Sequence, residues 1–311
     1  MQTEIAIKVE HLSKTFTDQK AVDDISFTVK QGEVFGLLGP NGAGKTTILR
    51  MITTLLKPTD GKITIWGHNV KTESKLARST FGLTGQYAAV DEDISARENL
   101  LIFSRLNGLS IKMSKLRTDE LLKEFSLEKS ADKSIKEFSG GMRRRLDLAI
   151  SLITRPKIIF LDEPTTGLDP RTRTQMWDTI RALVKHGSTI FLTTQYLEEA
   201  DNLADRVAVI DHGKLIKIGT PKDLKDETGE STLSLDIVNS KDIPHASAIL
   251  QKELGSEPLL INNSIVIKFK KSEQAITVLS QLNNAKINIT NLSVQQPSLD
   301  DVFMALTVGK N

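Results

Sequence analysis

Apolar residues alternate with others at Ile5, Ile7 and Val9, and again at Ile25, Phe27 and Val29. Period-two alternation predicts half-buried strands. Gly32 then turns the chain into an apolar run, Val34, Phe35, Leu37 and Leu38, which predicts a buried strand. Ile63 to Trp66 alternates again, and Phe81 to Thr84 is long enough for one more strand. The pattern changes near Asp91. From Ala96 to about Ile153 the apolar spacing is helical, with stripes through Leu100, Leu101 and Phe103, through Leu121, Leu122 and Phe125, and through Leu146, Ile150 and Ile153. This predicts an all-helical insertion, about residues 90 to 153, in an α/β domain. Strands resume at Ile158 to Leu161, Thr189 to Thr194 and Val207 to Ile210. Between the first two, Met176, Trp177, Ile180, Leu183 and Val184 share a helix face, and Gly187 stops that helix. Asp211-His212-Gly213-Lys214 reads as a hairpin turn into Leu215 to Ile218.

Composition shifts around Asp226 to Ser231. Beyond it a strand (Leu233, Leu235, Ile237) precedes a helix (about Ala246 to Leu254) and a strand pair (Leu259 to Phe269, with Asn262-Asn263 between). A helix (about Glu273 to Leu282), a strand (Ile287 to Val294) and a last helix follow, and Ser298 and Asp301 have capping-box spacing for that last helix. The series β-α-β-β-α-β predicts a small ferredoxin-like α+β domain. Two domains are therefore expected, residues 1–228 and residues 229–311. The second carries no chemical motif, and a packing or dimer-stabilising role is expected of it ahead of a regulatory ligand site.

The 311 residues are 39% hydrophobic, enough for a substantial core, and 41 basic against 39 acidic residues leave a net charge of +2. That balance provides no electrostatic footprint for nucleic acid, so no nucleic-acid partner is expected. The absence of cysteine excludes disulfides and thiolate metal sites. The first residues lack the basic-then-apolar plan of a signal peptide, and no apolar run approaches the ~18 residues needed to span a bilayer. The chain is expected to be soluble by itself, so any membrane role must come through a partner.

The most specific chemistry lies between the strand ending at Leu38 and the helical pattern starting at Ile48. The segment Gly39, Pro40, Asn41, Gly42, Ala43, Gly44, Lys45, Thr46, followed by Thr47, has the spacing G-x-x-x-x-G-K-[ST] of a P-loop. Successive amides of such a loop, with the helix N-terminus behind them, make an anion cradle. Lys45 is placed to reach terminal phosphates, and the Thr46 hydroxyl to ligate Mg²⁺. A second segment, IIFLDEPTTGLDP from Ile158 to Pro170, puts Asp162 at the C-terminal end of an apolar strand, where ligands bind in open α/β sheets. A carboxylate there can hold the Mg²⁺ shell, and Glu163 beside it can orient and polarise an attacking water. A third, FSGGMRRRLDLA from Phe138, has Ser139 as N-cap and two glycines, Gly140 and Gly141, that allow close backbone approach.

These motifs in this order resemble the ATP-binding-cassette (ABC) ATPases over about residues 4 to 225. The finer segments QYAAVDED from Gln86, MRRRLDLA from Met142, TTQYLEEAD from Thr193 and PSLDDVFMALT from Pro297 resemble the daunorubicin-resistance type of bacterial drug exporter ATPase. The resemblance implies a P-loop NTPase of α/β class with an antiparallel β subdomain, binding ATP and Mg²⁺. It implies a homodimer of cassettes in which Ser139, Gly140 and Gly141 face the partner's nucleotide and Asp169 lies in a loop between the two sites. It further implies polytopic membrane permease subunits, a peripheral place on the cytoplasmic face of the membrane, and drug export. Gln86 would reach Mg²⁺ or the attacking water and relay nucleotide state to the permease.

Phe16 matches the family's aromatic ring against adenine, and a core phenylalanine of the first sheet is the other reading. Gln195 is a departure. Most family members carry a histidine there that contacts the γ-phosphate, whereas glutamine hydrogen-bonds but cannot become cationic. Arg143, Arg144 and Arg145 are expected to form a solvated helix face. A nucleic-acid or ribosome-directed ABC ATPase and a small-molecule kinase are the rival readings.

Overall fold

Hydrophobic patterning closes into three layers of core, two in the first 221 residues and one in the rest. The computed structural model describes residues 4–85, 90–228, 230–261, 264–269, 272–295 and 298–308. In chain order, β1 (Ile5–Phe16) and β2 (Gln19–Lys30) form a hairpin, and β3 (Val34–Leu38) leads through the glycine loop into α1 (Lys45–Ile52). Then come β4 (Asp60–Ile65), β5 (His68–Asn69), the short α2 (Ser74–Arg78) and β6 (Phe81–Thr84). The helical stretch holds α3 (Ala96–Leu106), α4 (Ile111–Glu124) and α5 (Gly140–Ser151). Next are β7 (Ile158–Asp162), α6 (Pro170–Lys185), β8 (Thr189–Thr194), α7 (Leu197–Leu203), β9 (Arg206–Asp211), β10 (Lys214–Gly219) and α8 (Pro221–Thr228).

Strands β2-β1-β4-β5 make an antiparallel sheet, and β10-β9-β3-β8-β7-β6 a second sheet that is parallel except at β10. Phe35, Phe191 and Phe160 are register partners on β3, β8 and β7; the first two rings stack at 5.7 Å and the last two meet tilted at 5.5 Å. Phe27 of the first sheet stacks on Phe35 at 5.2 Å, so one aromatic row joins the two sheets. Register also decides the chemistry. Leu38 pairs with Thr194, and Asp162 with Thr193, so the chain leaves β3, β7 and β8 at one edge of the sheet.

The helical stretch packs Leu100, Leu121, Leu122, Phe125, Ile135 and Leu146 into one core with Ile159, Leu161 and Ile190 of the parallel sheet and Met176 and Ile180 of α6. Ser95 caps α3 with a complete capping box to Glu98. The stripe differs in detail from the expected one. On α3 the buried positions are Ala96, Asn99, Leu100 and Ser104, while Ile102 and Leu106 stay exposed. On α4, Ile111, Met113 and Leu116 are exposed too.

The chain divides into two units at Pro221/Lys222, inside α8. The second unit contains β11 (Ser231–Ile237), α9 (Ile243–Leu254), β12 (Leu259–Ile261), β13 (Ser264–Phe269), α10 (Ser272–Asn284), β14 (Ile289–Gln295) and α11 (Leu299–Val308). Its antiparallel order β12-β13-β11-β14 is the ferredoxin-like arrangement that the element series predicts. Alternate residues Leu233, Leu235 and Ile237 pack with Ile265, Ile267 and Phe269 under Leu250, Val278 and Leu282. Ser298 and Asp301 exchange side-chain-to-backbone bonds of 2.9 and 3.2 Å at the start of α11, the expected capping box. Asn262 and Asn263 lie outside the described residues.

Candidate functional site: a phosphate cradle at one edge of the parallel sheet

The loop after β3 exposes Pro40, Asn41 and Gly42 at its tip and buries Gly39 and Ala43 at its base. Gly44 begins α1 at φ 102°, a left-handed value that side chains rarely adopt, and a Cβ there would come within 2.7 Å of the Ala21 carbonyl oxygen. No side chain caps α1 and no acid sits in its first turn, so its leading amides are open to an anion. Lys45 is buried, and its Nζ donates to the carbonyls of Gly39 (2.8 Å) and Pro40 (3.0 Å). Burial pushes this amine below its usual pKa, opposed by Glu163 and then Asp162. Thr47 follows Thr46 on α1, half-buried.

Asp162 ends β7, buried, and its Oδ1 accepts from Thr193 Oγ1 at 2.6 Å and Thr46 Oγ1 at 3.2 Å. Glu163 is buried beside it in a left-handed conformation, φ 49°. Its amide donates to the Thr193 carbonyl and hydroxyl, both at 3.1 Å. One carboxylate oxygen accepts from Thr166 Oγ1 at 3.1 Å, and the other lies 3.5 Å from Lys45 Nζ. Among the described residues no group of three or more His, Asp or Glu could hold a metal alone. The Thr46–Asp162 oxygen pair still fits a Mg²⁺ ion that draws the rest of its shell from phosphate and water, as such ions do.

Phe16 sits at the tip of the β1–β2 hairpin, paired with Gln19, and the same hairpin backs the glycine loop at Ala21. Its ring is 45% exposed, with Lys14 Nζ 4.9 Å from the centroid, so it is not the core phenylalanine of the alternative reading. Gln195 is half-buried in the step between β8 and α7. Gln86 lies outside the described residues; Gly85 before it accepts from Arg144.

A second cluster forms on α5 and α6. Ser139 caps α5, its Oγ accepting from the Met142 amide at 3.3 Å, and Ser139 and Gly140 are exposed. Gly141 is buried where a Cβ would strike the Thr172 methyl group. Thr172 in turn donates to Asp169, the N-cap of α6, from its hydroxyl (2.6 Å) and its amide (3.0 Å). These groups line a cleft of about 320 Å³. Among the described residues no hydrogen bond or ion pair joins Ser139, Gly140 or Gly141 to the Gly39–Thr47 loop. The chain thus carries two clusters that no such bond joins.

The arginine run corrects the expected solvated face. Arg144 is 9% exposed, and its guanidinium donates to four carbonyls, while Arg145 donates to the Phe125 carbonyl at 3.0 Å. Only Arg143 makes a surface pair, with Glu92. Helical spacing cannot tell a buried arginine from a solvated one, because the acceptors come from elements distant in sequence. Glu199 escapes sequence reasoning for the same reason. It is fully buried on α7, accepting from Thr165 Oγ1 (2.8 Å) and Trp177 Nε1 (3.3 Å).

A parallel sheet with a glycine cradle, a buried lysine and adjoining Asp and Glu at its carboxyl edge defines a P-loop NTPase. Residues 22–166 match the ABC transporter family, and residues 219–307 the C-terminal domain of DrrA1-3-like ATP-binding proteins. The chain is 44% identical over 97% of its length, and 92% of the relative's, to the daunorubicin/doxorubicin resistance ATP-binding protein DrrA of Streptomyces peucetius. It is 39% identical over 98% of its length, and 87% of the relative's, to the Nod factor export ATP-binding protein I of Sinorhizobium fredii. Among solved structures it resembles a dimeric ATP-binding cassette in a post-hydrolysis state bound to ADP and Pi, with TM-score 0.62 and 27% identity, over 69% of this chain and 98% of that one. The chain belongs to the DrrA-like ATP-binding subunits of ABC transporters, and its cassette is an ATPase.

Proposed function

We propose that this chain hydrolyses Mg²⁺-ATP as a homodimer to drive export of drugs or other hydrophobic compounds through a separate polytopic permease, from the cytoplasmic face of the membrane. The observation that carries the reading is the convergence of Lys45, Thr46, Asp162 and Glu163 behind an uncapped helix start.

The amides of Gly39 to Thr47 and the Lys45 ammonium bind the phosphate tail, and Phe16 stacks on the base. Thr46, Asp162 and Gln86 hold Mg²⁺, which when bound neutralises charge on the phosphate oxygens. Glu163 orients water in line with the γ-phosphate and accepts its proton, and Gln195 hydrogen-bonds the γ-phosphate region. Ser139, Gly140 and Gly141 of one copy close over the nucleotide held by the other, with Asp169 between the two sites. The dimer is supported by the separation of the two clusters and by the dimeric relative with ADP and Pi.

The permease is supported by two observations. No helix among the described residues is long and apolar enough to cross a membrane. Ile102, Leu106, Ile111, Met113 and Leu116 leave an apolar surface on α3 and α4 of the kind that marks a docking site. The drug-resistance relatives support a hydrophobic cargo. The test is purification with the membrane protein encoded beside this chain. ATP hydrolysis that rises when both are reconstituted in vesicles, with outward drug movement, is the expected result. A chain that neither hydrolyses ATP nor co-purifies with a polytopic protein sinks the reading.

A further inference from the structure

Glu163 stands at a bend that L residues avoid, φ 49°, where Cβ crowds the backbone. In an extended strand successive carbonyls point to opposite sides. After β7 they do not. The carbonyls of Asp162, Glu163 and Pro164 all meet one guanidinium, that of Arg144, at 2.9, 3.1 and 3.0 Å. The left-handed residue makes this convergence possible, and three carbonyl dipoles aimed at one point repel one another unless a cation sits there. Arg144 also donates to the Gly85 carbonyl at 2.6 Å, and Asp147 one turn on lies 3.6 Å from its Nη1. A planar fork of five donors suits this set, and charge-assisted bonds of this kind are the strong ones.

We propose that Arg144 is a positioning residue for Glu163: its guanidinium gathers the carbonyls on either side of that glutamate and locks the bend to α5, the helix that begins at Ser139. This rests on the reading of Glu163 as the residue that orients water. In that reading the helix that closes over the partner's nucleotide and the carboxylate that acts on the chain's own nucleotide are joined by one side chain. The segment leading to Gln86 is held by the same group through Gly85.

The test compares Arg144→Met, of similar length without donors, with Arg144→Lys, which restores a cation and three donors. Steady-state hydrolysis and binding of a fluorescent ATP analogue are measured on the purified full chain. Amide exchange of Glu163 and Thr166, whose N–H groups are held by Thr193 and Glu163, reports the bend itself. In Arg144→Met, analogue affinity stays near the parent's while kcat falls about a hundredfold, as a small misplacement of a reacting group costs. Both amides exchange faster, and Arg144→Lys, which keeps the charge without the fork, recovers part of both effects. Unchanged kcat and exchange in Arg144→Met, or a lysine variant as impaired as the methionine one, overturns the proposal. A fall in kcat matched by lost affinity does so too. A parent chain without hydrolysis would instead defeat the catalytic reading of Glu163, and the exchange comparison would still decide whether Arg144 holds the bend. If Arg144→Met does not fold, Arg144→Gln takes its place against Arg144→Lys.

Discussion

Lys45 Nζ lies 3.5 Å from Glu163 Oε1, and both side chains are buried. The cation proposed to bind phosphate and the carboxylate proposed to orient water therefore form a single ion pair, built from the helix after β3 and the bend after β7. Such a pair is sensitive to loss of either member, because the survivor stays buried and uncompensated.

Glu163→Gln keeps the shape and the bond from Thr166 but removes the proton acceptor. The variant should bind ATP and accumulate dimer, with hydrolysis lower by about a hundredfold or more. Parent-like turnover would refute the assigned role.

The two glycines after Ser139 should separate packing from nucleotide contact. A Cβ at Gly141 strikes Thr172, so Gly141→Ala should lower stability by about 1–3 kcal/mol, the usual cost of overpacking. At Gly140 the only neighbour is Leu168 at 3.9 Å, so Gly140→Ala should melt like the parent yet dimerise poorly with ATP. Thermal melts beside ATP-dependent gel filtration check both, and equal melting losses would contradict the assignment of Gly140 to the interface.

Phe16 is exposed, so Phe16→Ala should leave stability within about 0.5 kcal/mol of the parent. Loss of the stacking face should weaken ATP several-fold, about 0.5–1.5 kcal/mol, with much less effect on inorganic triphosphate. Calorimetric titration of both ligands is the check, and equal weakening would move the base elsewhere.

Gln195 cannot titrate, so kcat should show no inflection near pH ~6.5 from this position. Gln195→His should introduce one. A parent profile with the same inflection would place the titrating group at another residue.

Burial raises the pKa of the Glu199 carboxyl, opposed by hydrogen bonds from Thr194, Thr165 and Trp177. A carboxyl whose folded pKa is raised binds its proton more tightly when folded. Its stabilising contribution is complete below the unfolded value of 4.5 and is lost as pH rises through the folded one. Glu199→Gln keeps an acceptor for Thr165 and removes the ionisation. Its urea midpoint should gain on the parent's as pH rises above 4.5, and a difference that stays constant with pH would show that Glu199 is not the source.

The residues that converge at the candidate site were legible in the sequence. Lys45, Thr46, Asp162 and Glu163 announce themselves because a phosphate cradle and a strand-end carboxylate pair each need contiguous residues at set spacing. The ferredoxin-like order of the second unit was legible as well, since alternation and helical spacing are properties of single segments. Arg144 was misread because three arginines in a row look alike until the carbonyls of Gly85, Asp162, Glu163 and Pro164 are brought to one of them. The two readings of Phe16 could not be separated either, because exposure at a hairpin tip depends on what the rest of the chain covers.

By itself the sequence determined the elements, their order and the local chemistry of each motif, all of which depend on neighbours within a few residues. Only the tertiary structure decided that β3, β8 and β7 adjoin, so that the start of α1 and the bend after β7, far apart in sequence, share one ion pair. It also decided the left-handed bend at Glu163 and the burial of Arg144 and Glu199. Backbone strain and buried charge persist only where distant groups supply the compensating bonds, and no local pattern records which distant groups those are.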